Sequence, residues 1–451
     1  MGEIIDNLYQ IIWGKHLLFS ILLISFFLTA RFYFYSWHQI FPAFRSLLKS
    51  RHMKAEEGAI NPFNALMTSL SATVGTGDIV GIPIVIMIGG AGAIFWMWIV
   101  ALFGMVLKMA EAVLAMKYRH INDEDDYIGG PMYYISKGLG GKWKYAAFFY
   151  AFALILAGIG TGNMIQAHSI VDVLTIQTEP FFPEYLHITP YIIAAILFGL
   201  TTLVLVGGIQ RISKWAGKLV PLMMIIYVSA CLFVIISNIG AIPAVFEKII
   251  VQAFTPEATI AGGFFGVLQA GMTRAIVSAE VGAGSASIAH ASSQLKSPLE
   301  QGRIAMLGAF IDTIVICTMT ALVVLVTFET LPSNFEGAAI ITQSFTEQLP
   351  FIGTYIVPLC LPIFAFTTIL AWSHYCETGI KYMFGTGYTT LFRIFWCIIL
   401  LIGALNEAKL VWGAADMMFG LVIYPNLLAV LCLSPQIIPY LKEHMNDLKA
   451  N

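Results

Sequence analysis

Three charged residues lie inside long apolar segments of the sequence and are the first candidates for chemistry: Asp78, Arg274 and Glu280. A charged side chain at the centre of a bilayer costs about 3 kcal/mol on insertion scales, so a residue of this kind usually has a function. An aspartate there is suited to contact a substrate ammonium or a coupling cation, or to accept a proton. Arg274 and Glu280 are six residues apart, which is too far for an i,i+4 pair, so each is expected to have a partner elsewhere. The alternative is a charge cluster that holds two helices together.

Asp78 and Glu280 each belong to a glycine-rich motif that predicts a broken helix. The motifs are TVGTGDIVG at 73–81 and SAEVGAGSAS at 278–287. Glycine weakens a helix by about 1 kcal/mol relative to alanine, so two or three within one turn favour unwinding. Backbone groups freed in a membrane are tolerated where they line a wet cavity or lie buried in protein. Freed oxygens suit a hard cation such as Na⁺, and half-helix N-termini suit a carboxylate. The alternative at 73–81 is close helix packing through Gly77 and Gly81.

Other polar residues inside apolar segments are weaker candidates. Thr367 and Thr368 are adjacent hydroxyls, expected either to face the first motif as an oxygen-ligand pair or to bond back to the preceding turn. Trp372, one turn later, is placed to cap a cavity. Lys108 and Glu111 have the i,i+3 spacing of a structural pair. The remaining candidates are His290, expected at the membrane interface, and a group for which pathway lining and ordinary hydrogen bonds are equally good interpretations, namely Asp312 with Thr313, Asp416, Asn163, Gln166 and His168.

The composition places these residues in a membrane protein. Of 451 residues, 58% are hydrophobic and 11% are charged, whereas about 25% of a soluble domain is charged. The net charge of −2 offers no basic surface to nucleic acid. The six cysteines have no C-x-x-C spacing and are interpreted as small buried hydrophobes. No metalloprotease motif or nucleophile–base pair is present, so the sequence predicts no enzyme.

Eleven apolar segments predict transmembrane helices, at 16–36, 63–90, 91–117, 145–174, 190–207, 218–238, 263–288, 303–328, 352–377, 389–404 and 411–433. With the N-terminus outside, the loops that would be cytoplasmic hold 19 of the 24 Lys and Arg residues. Only three lie in the opposite loops. Because cytoplasmic loops are enriched in Lys and Arg, this segregation predicts an outside N-terminus and a cytoplasmic C-terminus.

The two motifs each open a set of five predicted spans, which gives an all-α chain with two inverted halves. Since five is odd, the second set crosses the membrane in the opposite sense to the first. The predicted division is an N-terminal helix and loop, two five-helix repeats with an extracellular connection, and a cytoplasmic tail, at 1–62, 63–238, 239–262, 263–433 and 434–451.

The ordered motifs resemble the alanine/glycine:cation symporters, also called the sodium:alanine symporter family. The segments that carry the resemblance are NALMTSLSATVGTGDIVG at 64–81, GAIFWMWIVALFGMVLKMAEAVLAMKYR at 92–119, GGPMYYI at 129–135, GTGNMIQ at 160–166, SAEVGAGSASIAHA at 278–291, FIDTIVICTMTALV at 310–323, FAFTTILAWSHYCE at 364–377 and WGAADMMFGLVIYPNLLAVLCLS at 412–434. The resemblance implies a LeuT-type inverted repeat preceded by one additional helix. It also implies Na⁺-coupled symport of a small neutral amino acid such as alanine or glycine, by alternating access, across the cell inner membrane.

The resemblance also implies roles for individual residues. Substrate contacts would come from Thr76, Gly77, Asp78, Gln166, Val277, Ser278 and Trp372. Na⁺ would lie between first-motif backbone near Thr73 and Gly75 and the hydroxyls of Thr367 and Thr368. Arg274 and Glu280 would serve as coupling or gating charges. No cofactor beyond the coupling ion is expected, and the expected partners are an amino acid, Na⁺ and the lipid bilayer, without nucleic acid.

Three positions depart from the family pattern. The family usually has Asn where this chain has Asp78 and Ala279, and Phe where it has Val277. Valine enlarges the cavity, which predicts a substrate somewhat larger than glycine, and the added carboxylate favours cationic character or H⁺ binding. The alternatives are therefore an H⁺-coupled or altered-specificity amino-acid or amine transporter that uses Asp78, or, in a different class, an amino-acid sensor that does not transport.

Overall fold

The computed structural model of the protein describes residues 11–122, 125–255, 262–331, 337–406 and 409–450, and the side chains of 409–414 and 448–450 are outside the description. Part of the predicted connection at 239–262, residues 256–261, also lies outside it. The α-helices span Lys15–Arg31, Tyr35–His38, Ile40–Ser50, Pro62–Thr73, Thr76–Ile79, Gly81–Gly89, Gly92–Tyr118, Pro131–Tyr134, Trp143–Ala157, Ile165–Thr178, Thr189–Leu205, Gly208–Ser237, Ile242–Phe254, Gly263–Ala279, Ala286–Ala291, Pro298–Ala309, Thr318–Thr327, Gly337–Gln348, Gly353–Phe384, Thr389–Leu405, Lys409–Leu433 and Ile438–Ala450.

Shorter elements join these helices. Three π-helical stretches lie at Ile135–Leu139, Gly158–Met164 and Phe310–Cys317, and three 3₁₀ turns at Pro183–Tyr185, Thr386–Tyr388 and Ser434–Gln436. The strands His120–Ile121 and Tyr127–Ile128 pair antiparallel in a small hairpin. The helices are therefore the elements that position the polar residues.

The helices include seven that are long and apolar enough to cross a membrane, within the described part of the chain: Gly92–Tyr118, Trp143–Thr178, Gly208–Ser237, Pro298–Thr327, Gly353–Phe384, Thr386–Leu405 and Ala415–Gln436. Two of the other predicted spans, 16–36 and 190–207, correspond to helices of 17 residues each. The last two are the glycine-containing segments, and each is divided into shorter helices. The protein is a multi-pass helical membrane protein.

The first break is narrower than the predicted 73–81. The helix continues through Thr73, Val74 and Gly75 are extended, and a short helix begins at Thr76. The N–H of Gly75 donates to a carboxylate oxygen of Asp78 at 2.8 Å. In an unbroken helix that N–H would bond to the carbonyl four residues earlier. The Asp78 side chain therefore caps the short helix and frees a carbonyl on the preceding one.

The second break is narrower than the predicted 278–287 and lies within it. The helix continues through Ala279, and the next one begins at Ala286. Glu280 ends the first of these helices in the left-handed conformation, at φ +51°. Gly282 and Gly284 follow with φ of +78° and +77°, which only glycine adopts without strain. The backbone thus turns at 280–285, and the glycines make that turn possible.

Other predictions about the helices and cysteines are also corrected. The segment 208–218, predicted as a loop, belongs to the helix Gly208–Ser237. His290, expected at the membrane interface, is fully buried within the protein, and its ring bonds to the side chain of Gln301 at 2.6 Å. Cys432 is exposed on the helical surface, unlike the other five cysteines. Hydrophobicity alone does not show which face of such a helix is turned inward.

The C-terminal helix Ile438–Ala450 docks through a histidine. Tyr35 bonds to Nδ1 of His444 at 3.1 Å, and Arg303 donates to its Nε2 at 3.0 Å. Because arginine is always a donor, Nε2 accepts and the docked histidine is neutral. Burial, followed by the Arg303 guanidinium, holds the pKa of His444 below its ordinary value of 6.5, against the opposing effect of Asp447 and Glu300.

Docking of this helix is expected to weaken in acid. A depressed histidine pKa contributes stability that is present above the unfolded value and is lost as the pH falls through the folded value. Hydrogen–deuterium exchange of 438–450, corrected for the intrinsic rate, should therefore be faster at about pH 5 than at about pH 7.5. His444→Gln should lose most of this difference. Exchange that is equally pH-dependent in this variant would contradict the role of His444.

Candidate functional site

A cavity of about 510 Å³ lies between the two broken helices. Eleven of the thirteen predicted site residues line it: Thr73, Gly75, Thr76, Gly77, Gln166, Arg274, Val277, Ser278, Glu280, Thr368 and Trp372. Gly75 and Gly77 have no side chain, so their backbone is open to a ligand. The other two predicted residues, Asp78 and Thr367, do not belong to the lining.

Asp78 lies behind the cavity wall and is completely buried. One carboxylate oxygen accepts the N–H of Gly75, and the other accepts hydrogen bonds from Ser278 and, at 3.1 Å, from the thiol of Cys317. Ser278 itself lines the cavity. Asp78 therefore acts on the cavity through its neighbours and joins the two broken helices.

Thr368 faces the first break, as one of the two interpretations of the threonine pair predicts. Its hydroxyl oxygen lies 2.9 Å from the Ser71 carbonyl oxygen and 3.0 Å from that of Phe364, so the hydroxyl can donate to either. In a regular helix the Gly75 N–H would donate to the Ser71 carbonyl, but here it donates to Asp78 instead. The break thus places a freed carbonyl beside a hydroxyl of a different helix.

Thr367 does not face the cavity. Its hydroxyl bonds to the Phe364 carbonyl at 2.9 Å and contacts the sulfur of Met223 at 4.0 Å. Successive residues differ by about 100° around a helix, so two adjacent threonines rarely face the same cavity. Of the predicted ligand pair, the Thr368 hydroxyl therefore lies at the break. The Thr367 hydroxyl has in common with it only the contact to the Phe364 carbonyl.

Arg274 connects the two broken helices through backbone. Its guanidinium donates to the carbonyl of Gly77, and it lies so close to Gly81 that a Cβ there would overlap with it. Gly77 and Gly81 therefore form the groove that accepts the Arg274 side chain. The first motif thus serves both close packing, which is one prediction, and the binding of a charged group at the break, which is the other. Arg274 and Glu280 form no ion pair with each other among the described residues, and Glu280 instead accepts from Ser285.

The carbonyls of the second break are bonded on the side away from the first. Asn426 donates to the Gly282 carbonyl at 2.8 Å and to Glu111 at 2.7 Å, and Tyr150 donates to the Ala283 carbonyl at 2.7 Å. Unwound backbone is stable in a membrane only when its polar groups are satisfied in this way. The predicted Lys108–Glu111 pair forms no hydrogen bond within the described residues, where Glu111 bonds to Asn426 and Lys108 acts on Glu111 through its charge.

Trp372 closes one side of the cavity against a glycine-rich π-helical stretch. A Cβ at Gly162 would overlap with Trp372, and one at Gly158 would overlap with Cys376, so the tryptophan packs directly on backbone. Its ring also contacts Phe419, with centroids 6.2 Å apart. The position of the indole therefore depends on the absence of side chains on the neighbouring helix.

Gln166 approaches the first break, whereas its neighbour in the predicted series does not. The Gln166 amide oxygen accepts from Thr76 at 3.3 Å, and its nitrogen donates to the carbonyl of Thr161 at 3.1 Å. Asn163 instead bonds to the Trp396 carbonyl at 2.9 Å, which is the interhelical bond of the alternative interpretation. One amide of the predicted series therefore belongs to the site.

Several lining residues were not predicted as site residues. They are Thr161, Ser169, Gln269, Thr273 and Phe419, together with Asp416, for which pathway lining was one of two interpretations. Thr273 precedes Val277 by four residues and Gln269 precedes Thr273 by four, so an extension of the cavity face from Val277 in steps of four residues would have found them.

The comparisons with known proteins agree with a transporter. The sodium:alanine symporter family model matches residues 1–451. An uncharacterized transporter of Haemophilus influenzae is 38% identical, with 100% of this chain and 97% of that protein covered. The sodium/alanine symporter AgcS of Methanococcus maripaludis is 36% identical, with coverage of 100% and 98%. The crystal structure of MhsT in complex with L-phenylalanine has the same fold, with a TM-score of 0.61 at 16% identity over 82% of this chain and 89% of MhsT.

The match over the whole chain shows the family that the sequence motifs resemble. Symporters are transporters and not enzymes, in agreement with the missing catalytic constellations. The chain belongs to the sodium:alanine symporter family and is a multi-pass membrane transporter.

Proposed function

We propose that the protein couples the entry of Na⁺ to the uptake of a small neutral amino acid such as alanine or glycine, by alternating access. The observation that carries this proposal is the freed Ser71 carbonyl beside the Thr368 hydroxyl, at the edge of a cavity bounded by both broken helices. Broken helices supply oxygens to a cation and polar backbone to an amino acid in secondary transporters. Family membership supports the same coupling.

The Na⁺ site lies where the first break meets the helix Gly353–Phe384. Its ligands are the carbonyls of Ser71 and Phe364 and the hydroxyl of Thr368. The hydroxyl oxygen lies 2.9 Å from the Ser71 carbonyl oxygen and 3.0 Å from that of Phe364. Neutral oxygens of this kind suit a hard cation. The backbone from Thr73 to Gly75 completes the set, whereas the Thr367 hydroxyl contacts Met223 and is not a ligand.

The amino acid occupies the cavity beside the Na⁺ site. Its walls carry both signs of charge, Arg274 on the one hand and Glu280 and Asp416 on the other, as recognition of a zwitterion requires. Thr76 and Gln166 add hydrogen-bonding groups at the first break. Val277, in place of the usual phenylalanine, leaves room for a side chain larger than hydrogen.

The architecture we propose is a LeuT-type arrangement of eleven spans. Two five-helix repeats, 63–238 and 263–433, each open with a broken helix, and the helix Lys15–Arg31 precedes them as an addition. The connection 239–262 contains the helix Ile242–Phe254. Support comes from the matching positions of the two breaks and from the segregation of Lys and Arg.

We place the protein in the cell inner membrane. In the proposed orientation the N-terminus is outside and the tail 434–451 is in the cytoplasm. The cavity extends to Ile88, near the C-terminal end of its helix, and to Gly266, near the N-terminal end of its helix. This orientation places both ends outside, so the cavity opens outward. Asp78, Arg274 and Glu280 lie at the breaks, where the rocking of helices in alternating access changes their contacts.

Counterflow in proteoliposomes tests the substrate. Protein reconstituted with Na⁺ on both sides and preloaded with alanine should exchange external radiolabelled alanine, and small neutral amino acids should compete. We expect alanine to compete better than glycine, because Val277 enlarges the cavity. Failure of every small neutral amino acid to compete would contradict the proposal.

A second candidate is an H⁺-coupled or altered-specificity amino-acid or amine transporter. The observation that favours it is the second carboxylate, Asp312, which shares the hydroxyl of Ser278 with Asp78. A pH gradient imposed without Na⁺ distinguishes the two, because it should drive uptake only in the H⁺-coupled case.

A further inference from the structure

Two buried carboxylates lie next to each other behind the cavity wall. Asp78 and Asp312 are both completely buried, and ligand atoms of these two residues and of Cys317 lie within 4.8 Å of one another. Like charges at this distance, away from water, strongly oppose each other's ionisation. The pair is therefore expected to hold fewer than two negative charges.

The hydrogen bonds around Ser278 require a further proton. The Ser278 oxygen lies within hydrogen-bond distance of an oxygen of Asp78 and, at 2.9 Å, of an oxygen of Asp312. A serine hydroxyl has one hydrogen, and an ionised carboxylate only accepts. Ser278 can donate to one carboxylate, so the other contact needs a carboxyl O–H that donates to the serine oxygen.

The donors on each side place that proton on Asp312. Asp78 already receives the N–H of Gly75 at 2.8 Å and the thiol of Cys317 at 3.1 Å, as an ionised carboxylate requires. Within the described part of the chain, Asp312 receives only the hydroxyl of Thr313 besides Ser278, and its Oδ1 is buried without a hydrogen-bond partner there. An unpartnered oxygen costs much less on a neutral carboxyl than on a carboxylate.

The charged groups around the pair agree with one negative charge. Arg274, from the second broken helix, is the cation that acts on Asp78. Lys108, from the helix Gly92–Tyr118, is the cation that acts on Asp312, and it also acts on Glu111 and Glu280. Arg274 also acts on Asp416, so these two cations face five carboxyl groups and are too few to balance a second charge on the pair.

We propose that Asp78, Ser278 and Asp312 form a binding site for a single proton, in which the Asp312 carboxyl donates to Ser278 and Ser278 donates to Asp78. The proton exchanges with the cavity through Ser278, which lines it. On release the O–H bond of Asp312 breaks, its electron pair stays on the carboxylate, and a water molecule of the cavity takes the proton. A role for this proton in transport rests on the proposed function, whereas its binding does not.

Infrared spectroscopy of the purified full-length protein tests the site without transport. At neutral pH the wild type should show a protonated-carboxyl C=O band that disappears in Asp312→Asn and is shifted in frequency in Asp78→Asn. The loss in Asp312→Asn assigns the proton to that residue, and the shift in Asp78→Asn shows that the two carboxyl groups are joined through Ser278, because burial keeps the Asp312 carboxyl neutral in both proteins. Asp172→Asn, at an exposed position, is the control and should keep the band.

A band that keeps the wild-type frequency in Asp78→Asn, or a wild-type spectrum without any band that depends on Asp312, would overturn the shared proton. If Asp78→Asn does not fold, Ser278→Ala provides a second test, since loss of the acceptor must shift the frequency of the Asp312 band. An unshifted band would contradict the relay. The band without amino-acid uptake would refute the proposed function and leave the proton site standing.

Discussion

Replacing Thr368 with valine is expected to raise the Na⁺ concentration for half-maximal uptake by about 10- to 100-fold. Valine keeps the shape of threonine but removes the hydroxyl that reaches the carbonyls of Ser71 and Phe364. A polar contact to a charged group contributes about 1.5–3 kcal/mol, and 1.4 kcal/mol corresponds to a tenfold change in affinity. Initial rates of alanine uptake into proteoliposomes at varied Na⁺ measure the effect.

Thr378→Val is the matched control for this experiment. Thr378 is buried on the same helix, and among the described residues its hydroxyl bonds only to the His374 carbonyl one turn earlier, at 2.9 Å. Its removal should leave the Na⁺ dependence within about twofold of the wild type, because bonds of this kind contribute little to helices. Equal Na⁺ dependence in Thr368→Val and the wild type would show that the ion binds elsewhere.

Adding one methyl group at Gly162 is expected to reduce alanine uptake by about tenfold or more. The new Cβ would overlap with the Cβ and Cγ of Trp372, atoms that no rotation of the indole can remove. Overpacking of this kind typically costs about 1–3 kcal/mol. Here the strain falls on a residue of the cavity wall, so Gly162→Ala should displace the tryptophan and raise the KM for alanine.

Gly199→Ala separates this effect from a general intolerance of helical glycines. A Cβ at Gly199 meets no atom within 4 Å, so this variant should transport alanine at the wild-type rate. Thermal unfolding of both variants in detergent checks that each is folded. Wild-type kinetics in Gly162→Ala would show that Trp372 does not border the substrate.

The sequence predicts the broken helices and most of the site residues that line the cavity because glycine and intramembrane charge are informative as residue types. It does not predict the direction in which side chains point on helices that are apolar all round. Thr367 and Thr368 show this limit, since only one faces the break. The sequence predicts Cys317 only as a small buried hydrophobe, and it is the packing of its helix that brings its thiol to Asp78.

Partners that lie far apart in the chain are the other limit. The spacing of Lys108 and Glu111 predicts a pair, but Asn426 is 315 residues from Glu111 and takes that place. Arg274 pairs with a backbone carbonyl, that of Gly77, and no side-chain pattern indicates such a partner. Satisfying the freed backbone of the breaks therefore determines these contacts more strongly than local charge spacing does.

Parallel fluxes of radiolabelled Na⁺ and L-alanine into the same proteoliposomes test the central claim most directly. The account predicts that alanine accelerates Na⁺ entry, that Na⁺ is required for alanine accumulation, and that Thr368→Val loses both effects together at low Na⁺. Alanine accumulation that continues unchanged when all Na⁺ is replaced by choline would contradict Na⁺-coupled symport.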